Sequence, residues 1–244
     1  MAKKYKKELD EIMKGMEGGT NEKEREFNKR NEILQLYNII DKDLSLLFKG
    51  KVAAKVTGAD AILLTEFFFS GLINELTDLE LLAILSTFSS ENKAGKDVDE
   101  CSKVYSESFT KAINFIQKEC DRLMAKEQEF GLLDNNQSRI NWKFYELVYE
   151  WADGKPFSQL VSMSEVEEGM IVKMLMSVHK LTGTIEGMAQ IVGDNTLATR
   201  MDEMKPLTQR GIVKLQSLYL EVEQEQLTAT RDNIGNISDD EEDK

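Results

Sequence analysis

The sequence predicts an all-α protein: a helical bundle with a charged, stalk-like segment before it and a disordered acidic tail after it. Three observations predict this. Only 2 prolines occur in 244 residues, so the residue least compatible with a helix interior is almost absent. Apolar residues recur at three- and four-residue spacing over long stretches, which is the period of a helix with one buried face. Hydroxyl-to-carboxylate spacings of the capping-box type punctuate those stretches. With 41% apolar and 31% charged residues, the length suffices for a substantial core.

Residues 1–30 are dense in Lys and Glu and break at Gly18-Gly19-Thr20, so they are read as exposed helix or stalk. Residues 31–220 form the bundle. Ile33, Leu36, Tyr37 and Ile40 fall on one helical face, and the stretch from Phe48 to Val56 is read as a short extended piece. Phe67, Phe68, Leu72, Ile73 and Leu76 are assigned to the end of one helix. Thr77-Asp78-Leu79-Glu80 then has the form of a capping box, with Leu81, Leu82, Leu85 and Phe88 as the buried face that follows. Glu91 to Lys96 is a polar loop. Tyr105, Phe109, Ala112, Ile113, Ile116, Cys120 and Leu123 keep the helical period up to a stop near Gly131.

Ile140, Phe144, Leu147, Val148 and Trp151 predict a shorter helix. It is stopped at Asp153-Gly154-Lys155-Pro156, because proline disfavours helical geometry in the residue before it. Ser164-Glu165-Val166-Glu167 is read as a second capping box. It opens a helix whose buried face is Met170, Ile171, Met174, Leu175, Val178 and Leu181, and whose other face carries Lys173, Ser177 and Lys180. Gly193 is a left-handed helix stop. A last helix is expected from about Leu197 to Leu220, bent at Pro206. Residues 221–244 are the acidic tail, with too little apolar surface to fold.

The chemistry is mostly exclusion. The formal net charge is −13, which argues against a general nucleic-acid coat. Two cysteines, Cys101 and Cys120, are too far apart for a CxxC pair and too few for a zinc framework, and they are read as buried thiols. No secretory signal or membrane span is read, so an intracellular, soluble chain is expected. Gly50-Lys51, Gly95-Lys96 and Gly154-Lys155 are followed by Val52, Asp97 and Pro156, so none is a phosphate-cradling loop. His179 is the single histidine, which leaves a catalytic triad or a two-histidine metal site without partners. It is read as a partly exposed surface residue. No catalytic residue and no metal ligand is assigned.

The order of several segments resembles one family. Phe48-Lys49-Gly50-Lys51-Val52-Ala53-Ala54 is followed by Leu63-Leu64-Thr65-Glu66-Phe67-Phe68-Phe69-Ser70-Gly71, then Leu85-Ser86-Thr87-Phe88. Glu146 to Phe157, Val166 to Lys173, Ile191 to Asp194 and Ser217 to Leu220 come next, at matching spacing. The whole is similar to the C-terminal helical (DSHCT, ratchet-helix) domain of superkiller-class, exosome-associated DExH RNA helicases, without the motor domains. The resemblance implies a non-catalytic module of an ATP-dependent 3′–5′ RNA helicase, which supports the motor and guides single-stranded RNA in exosome-linked decay. It implies that the helix opened by Ser164 lines the RNA path, with Lys173, Ser177 and Glu91 as the contact candidates. Ser177 stands where the family usually presents an arginine, so weak RNA contact is expected.

The partners it implies are helicase motor domains in cis or in trans and an exosome-linked complex, with no membrane. ATP and Mg would enter only through a motor. A cytoplasmic site is expected, with the nucleus as the alternative. The competing reading is a stand-alone interaction scaffold that has lost RNA function.

Overall fold

The computed structural model describes residues 22–89, 103–132 and 139–214. Residues 1–21, the Glu91–Lys96 loop, Cys101 and everything after residue 214, including the acidic tail, lie outside the described residues. Within them the chain is helical and has no strand, only an isolated bridge between Ile40 and Leu46.

Helix α1 covers residues 22–36 and is exposed along most of its length. Ile33 and, just past its end, Tyr37 are buried, whereas Leu36 points to solvent. The helix stops earlier than the apolar pattern predicts because Asn38 takes a left-handed φ of 54°, a conformation asparagine tolerates at helix ends. The loop that follows is held by Asp41, whose Oδ1 accepts from the amides of Asp43 and Ser45 at 2.8 and 2.9 Å. Leu44 in that loop also has a left-handed φ of 61°, which costs a side chain with a Cβ roughly 1–2 kcal/mol.

The stretch predicted to be extended is instead helix α2, Phe48–Ala53. Val52 and Ala53 are buried on its inner side, so this short apolar run is a buried helical turn, which periodicity over so few residues cannot distinguish from a strand. A Cβ at Gly50 would lie 2.1 Å from the Ile39 carbonyl oxygen. The lack of a side chain there is what lets α2 rest directly on the backbone of the preceding loop.

Helix α3, Ala61–Phe69, is capped by Asp60, whose carboxylate accepts from the Ile62 and Leu63 amides at 3.0 and 3.1 Å. Asp60 also pairs with Arg139, whose guanidinium bridges to Glu127. The helix does not run on to Leu76. Gly71, at φ 78°, ends it, and Leu72–Glu75 is a separate 3-10 turn. The capping box at Thr77 is present: the Glu80 amide donates to the Thr77 hydroxyl, and the Glu80 carboxylate accepts from the Thr77 amide. It opens α4, Asp78–Thr87, which is buried on every side from Glu80 onward.

Helix α5, Glu107–Phe130, starts on Ser106, which accepts from the Phe109 amide at 3.0 Å, and stops at left-handed Gly131. Its predicted buried face is observed, Cys120 included; Tyr105 precedes the helix and stacks on Tyr149 at 3.7 Å. Helix α6, Tyr145–Ala152, ends before Gly154, and Pro156 caps a helix that the sequence reading missed, α7, Phe157–Met163. This corrects the second capping box. Ser164 terminates α7, and the next helix, α8, Glu168–Val192, begins only after Glu167, with no side-chain cap bond. Val166 packs on the core within this connection, which ties it down before the helix can start.

Gly193, at φ 85°, turns the chain into α9, Asn195–Thr208, capped by Asp194. Helices α8 and α9 form the most extensive helix pair. The expected run to Leu220 is interrupted: α9 ends two residues past Pro206, and a further turn occupies residues 211–214. Arg210 fixes this break. Its guanidinium lies 3.8 Å from the Trp151 ring centre and donates to the carbonyls of Trp151, Gly154 and Lys155. The Trp151 indole donates in turn to the Thr208 carbonyl at 3.0 Å.

Substituting Gly50→Ala should destabilise the fold by about 3 kcal/mol, the upper range for a methyl forced into a packed site. Chemical denaturation of the two proteins measures it.

Candidate nucleic-acid interface

Helix α8 is 25 residues long and crosses the bundle with most of its surface covered. Ile171, Val172, Met174, Leu175, Val178, Leu181, Ile185 and Met188 are buried against the core, while Met170 and Met176 are partly buried against it. What remains open is one stripe: Gly169, Lys173, Lys180, Gly183 and Gln190 are exposed, and Gly187 is half-buried on the same line. Successive members are three, four or seven residues apart, which stacks them along one side of a helix. A Cβ added at Gly169, Gly183 or Gly187 would meet nothing within 4 Å. The stripe is therefore low in relief, with two ammonium groups as its raised points. At 1.5 Å per residue, Lys173 and Lys180 start about 10 Å apart along the axis. Among the described residues neither forms an ion pair.

Ser177 lies between the two lysines but does not face solvent. It is buried, and its hydroxyl is 2.7 Å from that of Ser89, just past the end of α4. The structure thus ties the middle of α8 to the segment that leads to Glu91, which itself lies outside the described residues. Lys173, by contrast, is exposed as α8 leaves its first turns. His179 is half-buried, and its Nδ1 is 3.1 Å from the Thr208 hydroxyl, so it joins α8 to the end of α9.

A cleft of about 400 Å³ opens beside the start of α8. Its apolar walls are Trp142, Leu147, Met163 and Val166, and Lys103, Glu146 and Glu150 stand at its rim; Lys173 is not one of its walls. Glu150 receives Lys103 and Lys155 together. Hydrogen bonds from those two ammonium groups hold its carboxyl below the ordinary glutamate value of 4.5. Burial pushes the Cys120 thiol up to about 11, so it is a thiol at neutral pH and a poor nucleophile. No group of three potential metal ligands occurs among the described residues, and no described helix is long and apolar enough to cross a membrane.

Residues 43–216 match the family model of the DSHCT (NUC185) domain. The chain belongs to the DSHCT family. Over 198 residues this DSHCT protein is 27% identical to the ATP-dependent RNA helicase mtr4 of Schizosaccharomyces pombe, a span of 80% of this chain and 17% of that one. It is 29% identical over 199 residues to human Superkiller complex protein 2, covering 80% of this chain and 15% of the relative. The mouse Exosome RNA helicase MTR4 is 28% identical over 199 residues, with 80% and 19% covered. The chain therefore spans less than a fifth of the length of these relatives. The DSHCT match takes in the whole of α8 and the apolar segments α2 to α4 that support it.

The sequence pointed to Lys173 and Lys180 through their place on the polar side of a helical period. It did not reveal the glycine line. A helical projection of Gly169, Gly183 and Gly187 carries that signal, since all three fall on the lysine side. Nothing in the sequence signalled the Ser89–Ser177 contact, which joins residues 88 positions apart.

Two outcomes follow from this geometry. Ser177→Ala should cost about 1 kcal/mol of stability by losing the hydroxyl pair, and should leave the salt dependence of any RNA binding unchanged; denaturation and filter binding check the two halves. Glu150 stabilises the fold in full above pH 4.5, its ordinary value, and this contribution is lost as pH falls through its lowered folded value. Glu150→Gln should therefore be less stable than wild type at neutral pH, and the gap should close below about pH 4 in acid titrations of the melting temperature.

Proposed function

We propose that this chain is a non-catalytic helical module of an ATP-dependent 3′–5′ RNA helicase of exosome-linked RNA decay. It buttresses the motor, joined in cis or bound in trans, and guides single-stranded RNA along α8. The observation that carries this reading is the exposed stripe of Gly169, Lys173, Lys180 and Gly183 on an otherwise buried helix. Apolar burial fixes the helix against recoil, the lysines offer charge to phosphates, and the glycines let a sugar–phosphate backbone approach closely. The names of the relatives, RNA helicases and a superkiller complex protein, support the choice of partner class. Nucleotide and magnesium would be held by the motor, because this chain contains no phosphate-cradling loop. The cytoplasm is the proposed compartment, with the nucleus as the alternative.

A net charge of −13 and the neutral, buried Ser177 favour one other reading, a protein-interaction scaffold without RNA function. Filter binding of single-stranded RNA to the full chain separates the two. Under the helicase-module reading, binding at low salt is measurable and similar for all sequences. Lys173→Ala and Lys180→Ala should each weaken it and flatten the logarithmic salt slope by about 0.7 per lost phosphate contact. An unchanged slope removes that lysine from the path, and no binding by the wild type favours the scaffold.

A further inference from the structure

The largest concentration of exposed apolar side chains lies on the face formed by the loop after α1 and the start of α2. Leu44, Leu46, Leu47 and Phe48 are all exposed, Leu44 by 48% and Phe48 by 55%. Phe69 at the end of α3 is 41% exposed and belongs to the same face, since Lys49 reaches from α2 to within 5.9 Å of its ring centre. This knuckle is not slack chain. The Asp41 turn, the Ile40–Leu46 bridge and the seating of Gly50 on Ile39 hold it in shape. Its tip is the feature hardest to explain within a free chain. Leu44 occupies a left-handed conformation that asparagine or glycine takes more easily, and it exposes its side chain to water there. Neither backbone nor core gains from leucine at this position, so the gain lies in what the side chain touches.

We infer that the Leu44–Phe48 knuckle, with Phe69, is the surface through which this chain docks on the motor core of a DExH helicase. The inference rests on the reading under Proposed function and adds the contact surface to it. The occupant follows from size and chemistry. The family match begins at residue 43, so the knuckle belongs to the shared domain, and in the relatives the matched part is only 15–19% of a chain. There the same face is presented to a body several times larger. Leucines dominate the knuckle, which suits a protein groove better than the stacking of bases. Lys42, Lys51 and Lys55 stand exposed around it, so the receiving groove is apolar with an acidic rim.

The test uses the full chain and Superkiller complex protein 2 deleted of the segment this chain matches, with association measured by calorimetry. The double variant Leu46→Asp/Phe48→Asp should weaken binding at least about tenfold, as loss of a central apolar anchor does. Leu44→Asn should also weaken binding while its melting temperature equals or exceeds that of the wild type, a combination that a purely structural role for Leu44 does not give. If the wild type binds and all variants bind equally well, the docking surface is elsewhere and the proposed function stands. If the wild type does not bind the core, both fall. If sedimentation shows a self-associated chain that the variants dissociate, the face serves a second copy, and if the variants lose affinity for oligouridylate, it serves nucleic acid; either result overturns the inference.

Discussion

Burial of α4 on every side is the constraint from which the rest of the structure follows. A helix with apolar residues on one face fits the edge of a bundle. One in which Leu81, Leu82, Ala83, Ile84 and Leu85 are all enclosed must have neighbours all around it. Helices α5, α6 and α8 supply that cover. The start of α4 is fixed by the Thr77–Glu80 box, and the segment past its end by the Ser89–Ser177 pair. Because α4 occupies the middle, α8 is pressed between it and α9. Only one narrow line of α8 is left without a partner, so the exposed stripe is what the packing of α4 leaves over.

How much of this was legible in the sequence depended on the range of the interaction. The Thr77 box, the Ser106 and Asp194 caps and the stops at Gly131 and Gly193 are set within one helical turn, and the signals at Thr77, Gly131 and Gly193 could be read directly. Helix α2 was misread because its six residues are too few to display a period, and its shape depends on Gly50 meeting Ile39. The Ser164 box had the right residue spacing, but α7 occupies the chain just before it, so Ser164 closes one helix and does not open the next. The early end of α9 depends on Arg210 and Trp151, 59 positions apart, a contact that no local pattern encodes.

The candidate site shows the same division. Lys173 was identified by its helical phase, and it is exposed as that phase requires. Ser177 shares the phase and yet is buried, because the end of α4 arrives beside it. A cationic stripe on a chain of net charge −13 is not a contradiction, since ions screen exposed charges over about 8 Å at physiological salt. Two unpaired ammonium groups about 10 Å apart by helical rise act on a ligand close at hand and hardly feel distant carboxylates.

Lysine acetylation footprinting of the assembled helicase, read by mass spectrometry with and without single-stranded RNA, tests the claim that α8 forms the RNA path most directly. The account predicts that RNA protects Lys173 and Lys180 and leaves Lys118 and Lys126 on α5 as reactive as before. Equal modification of Lys173 and Lys180 in the presence and absence of RNA would contradict it.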